Sequence, residues 1–559
     1  MFAKELGVNA FLVGKNHNLR IVDLAVGLMI LSKEQMQKLF VSICFLLSIT
    51  PFLLADLNSW PQWRGPNRDG QGIPGVNLLE NIEETLPKKI WESIEIPSRD
   101  DGGFGSVISD GKRAYLSVVW HRNEPSEERI LDSLVLRKLG LRNVNLPKEL
   151  REKAEQDRLA LSPRLRGSKL DEWIAQWIAD HLDRKQKMTQ GSLIASRFKQ
   201  GKLAIPLWVI DRIFTIRDRV FPTQNALDQW LGKQDFPEEI REKISQEVPP
   251  TRRMADDVLL ALDLRTGKQI WKTSLSGVPS GRSSSSTPCL AGQKIFAVGG
   301  NRLFCVLAEN GKLVWESSLG TEAVASSPLF TEGKVVVLAN TLQAFDAMSG
   351  NQVWENTSIR GKTASPVLWL NDWQNSIVCN SSKTVFCVNP ETGKTLWEGP
   401  GGGASTPVTS GNHLVVHGKK EEVGLICFHA NLDGISEKWR FPKLTRRTDS
   451  SPLVFEKKAI LFGAGMRLCI DLQSGKVLRN VPAKHDISSP ILAGGKVLAY
   501  EINGSFLISV KAEPEKLSEE QKFKLNALKC TSPGLVGTKL LVRNEKGIAC
   551  YELGRDMPN

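Results

Sequence analysis

Short apolar runs broken by glycine-bearing turns fill most of the chain after residue 102. A representative stretch is SSPLFTEGKVVVLANTLQAFDAMSGNQVW, Ser326 to Trp354. Its apolar runs are too short for helices and alternate with period two, which predicts four strands joined by turns whose glycines supply positive φ. The last hairpin recurs as LDLRTGKQIWK from Leu262, VNPETGKTLWE from Val388 and IDLQSGKVLRN from Ile470.

A second marker recurs with it. A Ser/Thr-Pro or Ala-Ser-Pro step precedes each first strand, with the proline at 288, 328, 366, 407, 452, 490 and 533. An eighth copy, GFGSVISDGKRAYLSVVW from Gly103, carries Ser106 and Val107 at this point. Four-stranded units of about 40 residues repeated along a chain predict a radial arrangement. The fold class is therefore all-β, an eight-bladed β-propeller over residues 91–553.

Tryptophans 271, 315, 354, 397 and 439 end the fourth strands of blades one to five, and Arg479 takes that place in blade six. The chain ends near the third strand of blade eight, while KKIWESIEI, with Trp91, precedes blade one. That segment is expected to complete the last blade, so that no sheet edge stays open. Cys305, Cys387 and Cys469 lie ten residues before the Trp/Arg position, and Cys427 and Cys550 fit the same register. Equivalent positions in different blades are too far apart for disulfides, so these thiols are expected to be small core residues. Cys289, Cys379 and Cys530 have no evident pairing, and no haem or zinc spacing occurs.

The pattern stops within blade one. Residues 122–253 read as an all-α insertion of four to six helices. Ser168 and Asp171 form a capping pair, followed by Leu170, Trp173, Ile174, Trp177 and Ile178 on one face. Thr223 and Pro237 open two further helices. The stripes are read as the insertion's own core. Because strands alternate in direction, an insertion between second and third strands must rise from the face that carries the inter-blade loops. It is expected to act there as a lid or a docking module.

Composition changes this picture little. The 559 residues carry a net charge of +12, with basic side chains interleaved with acids, which speaks against a nucleic-acid surface. The N-terminus adds an address. Lys38, an apolar run from Leu39 to Leu54 and Ala55 make residues 36–55 a signal peptide, with an uncleaved signal anchor as the alternative. Residues 1–35 are unassigned and read as the product of an upstream start codon, and 56–90 form an N-terminal segment. The expected location is periplasmic or cell envelope, with no stable membrane span in the mature chain.

Chemistry concentrates in the inter-blade loops. Arg282, then Arg446, Arg447 and Asp449, then His485 and Asp486 precede inner strands. They are candidate binding residues at the channel mouth, where field lines focus. The alternative is that the polar residues there cap turn backbone groups. No serine nucleophile can be assigned to His485, and GPGGGAS from Gly399 opens into a strand, which fails the context of a phosphate loop. No catalytic, metal or cofactor residue is assigned.

The repeats resemble the PQQ-like (pyrroloquinoline-quinone-like) β-propeller family. WPQWRGPNRDGQG, Trp60 to Gly72, is similar to an N-terminal signature of exported members. The resemblance implies one of two branches. Quinoprotein alcohol dehydrogenases hold PQQ and calcium in the propeller mouth beside a disulfide of adjacent cysteines, and no two cysteines are adjacent here. BamB-like members use the ring as a scaffold without cofactor, and the lipobox cysteine of that lipoprotein is missing, since Cys44 lies inside the apolar run. The expectation is a monomeric, non-catalytic scaffold for a protein or cell-envelope polymer, with no cofactor. A PQQ/calcium-dependent alcohol or sugar dehydrogenase is the alternative, and a hydrolase or lyase using Arg446, Asp449, His485 and Asp486 a third reading.

Overall fold

The structure is a computed structural model that describes residues 59–555, apart from 97–101, 141–145, 321–324, 421, 443–449, 464 and 484. The signal segment 36–55 lies outside these residues. No helix among the described residues is long and apolar enough to cross a membrane.

Among the described residues, eight small antiparallel sheets follow one another along the chain, and a ninth of two strands, Arg129–Ile130 with Val220–Phe221, lies in the insertion. The second is typical, with strands Cys289–Ala291, Lys294–Val298, Arg302–Leu307 and Leu313–Ser318 in consecutive order. In the third sheet the middle strand, Lys334–Asp346, doubles back at Asn340, whose φ is 65°. Its ends are tied by the Ala347 N–H to the Gly333 carbonyl at 2.9 Å, matching the Ala308 to Gln293 bond of sheet two. The eighth sheet takes its outer strand from the other end of the chain. Lys88–Glu92 pairs antiparallel with Ile548–Glu552.

The repeated hairpin now has a physical reason. In sheets one to three and in sheet five the outer-strand indole donates Nε1–H to a carbonyl at the third-strand end of the next sheet, as Trp271 does to Ala308 at 3.1 Å and Trp439 to Leu472 at 2.8 Å. Its ring lies under the glycine of the next hairpin turn. A Cβ on Gly311 would sit 2.5 Å from Trp271 Cε3, and one on Gly350 2.6 Å from Trp315. These glycines also have φ of 72° and 78°. Glycine is thus required twice, by conformation and by space. Trp91 makes the same contact with Leu264 and Gly267, linking the last sheet to the first.

Opposite each indole stands a small residue, which lets the ring lie across the sheet. Cys305 pairs with Trp315, Cys387 with Trp397, Cys427 with Trp439 and Cys550 with Trp91. All four are buried free thiols, and burial pushes the Cys305 thiol up to about 12. The hydrophobic clusters lie between neighbouring sheets: Phe296, Val298 and Leu303 of the second pack with Val335, Val337 and Phe345 of the third.

Near the axis the Ser/Thr-Pro steps form a belt. Each backbone N–H donates to the hydroxyl of the next sheet, in the order Ser106, Thr287, Ser327, Ser365, Thr406, Ser451 and Ser489. Ser532 N–H donates back to Ser106 Oγ at 3.0 Å, which carries the belt past the join between the chain's two ends.

The insertion leaves sheet one on a long arm. Strands Arg113–Pro125 and Thr251–Asp263 stay paired along their full length. Seven α-helices follow among the described residues, more than the four to six expected: α1 Ser133–Lys138, α2 Lys148–Ala160, α3 Ser168–His181, α4 Arg184–Gln200, α5 Leu207–Phe214, α6 Gln224–Gly232 and α7 Glu238–Glu247. The short α1 and α5 lack the length that makes a helical period visible in sequence. The expected Ser168 cap is not formed. Gly167 is the N-cap of α3 and no side chain caps it, whereas Thr223 caps α6 through Ala226 N–H as expected. Ile174 and Trp177 are buried with Ile194 and Phe198, and a second cluster joins Val135, Ile210, Ile213 and Leu227. The stripes are the insertion's own core.

Candidate binding face

The channel through the ring is closed from the side opposite the insertion by Trp60 to Gly72. Leu290 N–H donates to Pro61 O and Leu492 N–H to Gly70 O, each at 2.7 Å, so the segment lies along the inner strands. Two arginines rise from it to the belt. Arg68 Nη1 donates to Ser327 O at 2.9 Å and Pro366 O at 3.0 Å, and Nη2 to Pro328 O. Arg64 donates through Nη2 to Pro452 O at 2.6 Å and through Nε to Pro490 O at 3.3 Å. One peptide segment thereby ties sheets three, four, six and seven. Both guanidiniums are fully buried, and burial pushes their pKa down to about 10. They stay charged at neutral pH because carbonyl dipoles replace the lost water.

Above this plug, on the insertion side, a cup of about 360 Å³ opens on the axis. Its walls are belt and loop residues such as Ser285, Ser327, Thr363, Ser365 and Ser489, with Trp63 and Phe104 as its aromatic part. Trp63 Nε1 donates to Ser532 Oγ at 3.2 Å. Hydroxyls and aromatic faces can hold a neutral polar group; the cup lining contains no carboxylate among the described residues.

The arm of the insertion is anchored at the same face. Ala255 N–H donates to Val278 O at 3.2 Å and Ser280 N–H to Arg253 O at 3.0 Å, so the inter-blade loop of sheets one and two runs beside the arm. Buried Asp257 accepts from the Gly300 N–H at 3.1 Å, is paired with Arg282 and lies 3.2 Å from Arg302 Nε. Burial raises the Asp257 pKa, against the pull of Arg282. Neighbouring Asp256 pairs with Arg122 across the arm. Between α1, the arm and the loop lies a cleft of about 1000 Å³.

These positions revise the residue expectations. Arg282 does not line the axial cup; it is tied to Asp257 and lines the cleft under the helices. His485 is exposed and Asp486 half-buried, its carbonyl accepting from Ile502 N–H at 2.8 Å, and neither lines the cup. Arg446, Arg447 and Asp449 lie outside the described residues. Sequence reasoning missed Arg64, Arg68 and Asp257. The signal for the first two was two arginines spaced by four beside Gly65 and Gly70, both at positive φ, and for the third an Asp pair opening the apolar run DDVLLALDL.

Comparison with known proteins agrees with the repeat architecture. The family model described as outer membrane protein assembly factor BamB matches residues 255–400 and 340–536. BamB of Yersinia pestis is 28% identical over 153 residues, which is 25% of this chain and 38% of that protein. Among solved structures, BamB from Moraxella catarrhalis matches with a TM-score of 0.44 and 13% identity, over 55% of this chain and 93% of that one. A europium-containing methanol dehydrogenase matches with a TM-score of 0.38 and 13% identity, over 54% and 82%. Since the family matches run together from residue 255 to residue 536, half of the chain, this protein belongs to the PQQ-like β-propeller family of BamB type.

Proposed function

We propose that this chain is an exported, non-catalytic scaffold, working as a monomer in the periplasm or cell envelope, whose insertion-bearing face binds a protein or cell-envelope polymer partner. One observation carries the reading: the helices, the cleft and the axial cup all open on one face, while the channel behind them is closed by Trp60 to Gly72. A ring closed in this way offers a platform rather than a passage. The relative in Yersinia pestis is named an assembly factor, which fits a binding role. Fold alone does not fix function, so the site must.

The test is photo-crosslinking in intact cells, with a photoreactive residue at Trp208 of α5, 52% exposed, or at Leu432, 82% exposed in a hairpin turn of the opposite face. A discrete adduct from position 208 and none from 432 is expected. Adducts only from 432, or equally from both, would contradict the reading.

A further inference from the structure

The cleft under the helices is lined by more cations than carboxylates. Its lining carries six cationic side chains, Arg137, Lys138, Arg217, Arg252, Arg253 and Arg282, against two carboxylates, Asp132 and Asp218. Asp132 is already engaged as the N-cap of α1, accepting from Leu134 and Val135 N–H at 2.8 and 2.9 Å. Asp218 pairs with Arg217 at 3.0 Å on the rim. Arg252 meets Glu128 at 3.0 Å, with both side chains more than a third exposed, a pair worth little to stability in water and open to exchange. The six cations come from four separate parts of the chain, namely α1, the turn after α5, the arm and the inter-blade loop; of these Arg282 is already paired with buried Asp257 and Lys138 lies 3.9 Å from Glu247.

Apolar groups lie among these cations. Leu134, Val135, Val220 and Pro279 share the lining, and Val220 is 47% exposed. A pure polyanion such as polyphosphate would leave that surface without a partner. The volume of about 1000 Å³ is at the upper end of ligand sites, roughly 300–1,000 Å³.

Resting on the scaffold reading above, we propose that the cleft takes an acidic peptide segment in which Asp or Glu residues alternate with apolar side chains. The carboxylates meet the arginines, bidentately where the fork geometry allows, and the apolar side chains cover Leu134 and Val220. Electrostatic focusing between the helices and the ring favours capture of such a segment over neutral ones.

The experiment is fluorescence anisotropy with the chain from Asp56 onward and a labelled peptide of alternating Glu and Leu, with the Lys/Leu peptide and inorganic tripolyphosphate as comparisons. Saturable binding of the Glu/Leu peptide alone is expected. Arg137→Glu and Arg252→Glu should each weaken it at least about tenfold, since each reverses a charge at the site. Lys394→Glu, the same charge change in an exposed turn of the opposite face, should leave it unchanged. Unchanged thermal midpoints in the two arginine variants show that folding is intact. Equal weakening by Lys394→Glu, complete competition by tripolyphosphate, or no binding of the Glu/Leu peptide would overturn the proposal. In the last case a retained crosslink at position 208 leaves the scaffold reading standing, so the two failures are distinguishable.

Discussion

At the scale of residues, the ring depends on a few polar groups placed where water cannot reach. Arg68 holds three carbonyls of two sheets, and hydrogen bonds to a charged donor contribute about 1.5–3 kcal/mol each. Arg68→Ala is expected to cost at least about 3 kcal/mol in chemical denaturation, because it strands those carbonyls. Arg68→Lys should recover little, since one ammonium cannot reproduce the planar fork. A loss below about 1 kcal/mol for the alanine variant would show that the plug does not bind the ring together. The hairpin aspartates act at the surface. Asp263, Asp346 and Asp471 each accept from the hydroxyl and N–H three residues on, from Thr266, Ser349 and Ser474. These bonds hold the carboxyls below their ordinary value of 3.8. A depressed folded pKa means stability that is present above the unfolded value and is lost as pH falls through the folded one. Asn389 fills the same place with Thr392, so the triple Asp→Asn variant keeps the turns. It should show a flatter loss of stability between about pH 5 and pH 2 than the parent, and an unchanged slope would contradict the assignment.

At the scale of elements, the indole of one sheet under the turn glycine of the next is the repeating joint. Gly350 and Gly333 have similar φ, 78° and 73°, but a Cβ meets Trp315 at the first and nothing within 4 Å at the second. Gly333→Ala should cost only the left-handed conformation, roughly 1–2 kcal/mol. Gly350→Ala should lower the urea midpoint clearly further, and equal midpoints would show that the indole–glycine contact does not join the sheets. This joint is legible in sequence because both partners belong to one short recurring pattern. The outer strand at Trp91 was legible for the same reason, as a fourth strand in search of a sheet. The plug was not: Arg68 meets carbonyls 259, 260 and 298 residues away, and no local period encodes such contacts. Arg282 shows the opposite error. Its loop position pointed to the channel mouth, while the decisive partner, Asp257, sits on the arm of an insertion whose path no repeat predicts.

At the scale of the whole molecule, the belt of Ser/Thr hydroxyls, the indole joints and the N-terminal plug make the ring a closed platform, and the insertion builds a cationic cleft on one side of it. Under the proposed function this platform binds through its face rather than through a redox cofactor in its mouth. The most direct measurement is a calorimetric titration of the chain from Asp56 with PQQ in the presence of calcium. No saturable heat is expected from protein shown to be folded. One-to-one binding at micromolar affinity or tighter would contradict the proposed function and turn attention to alcohol and sugar oxidation at the axial cup.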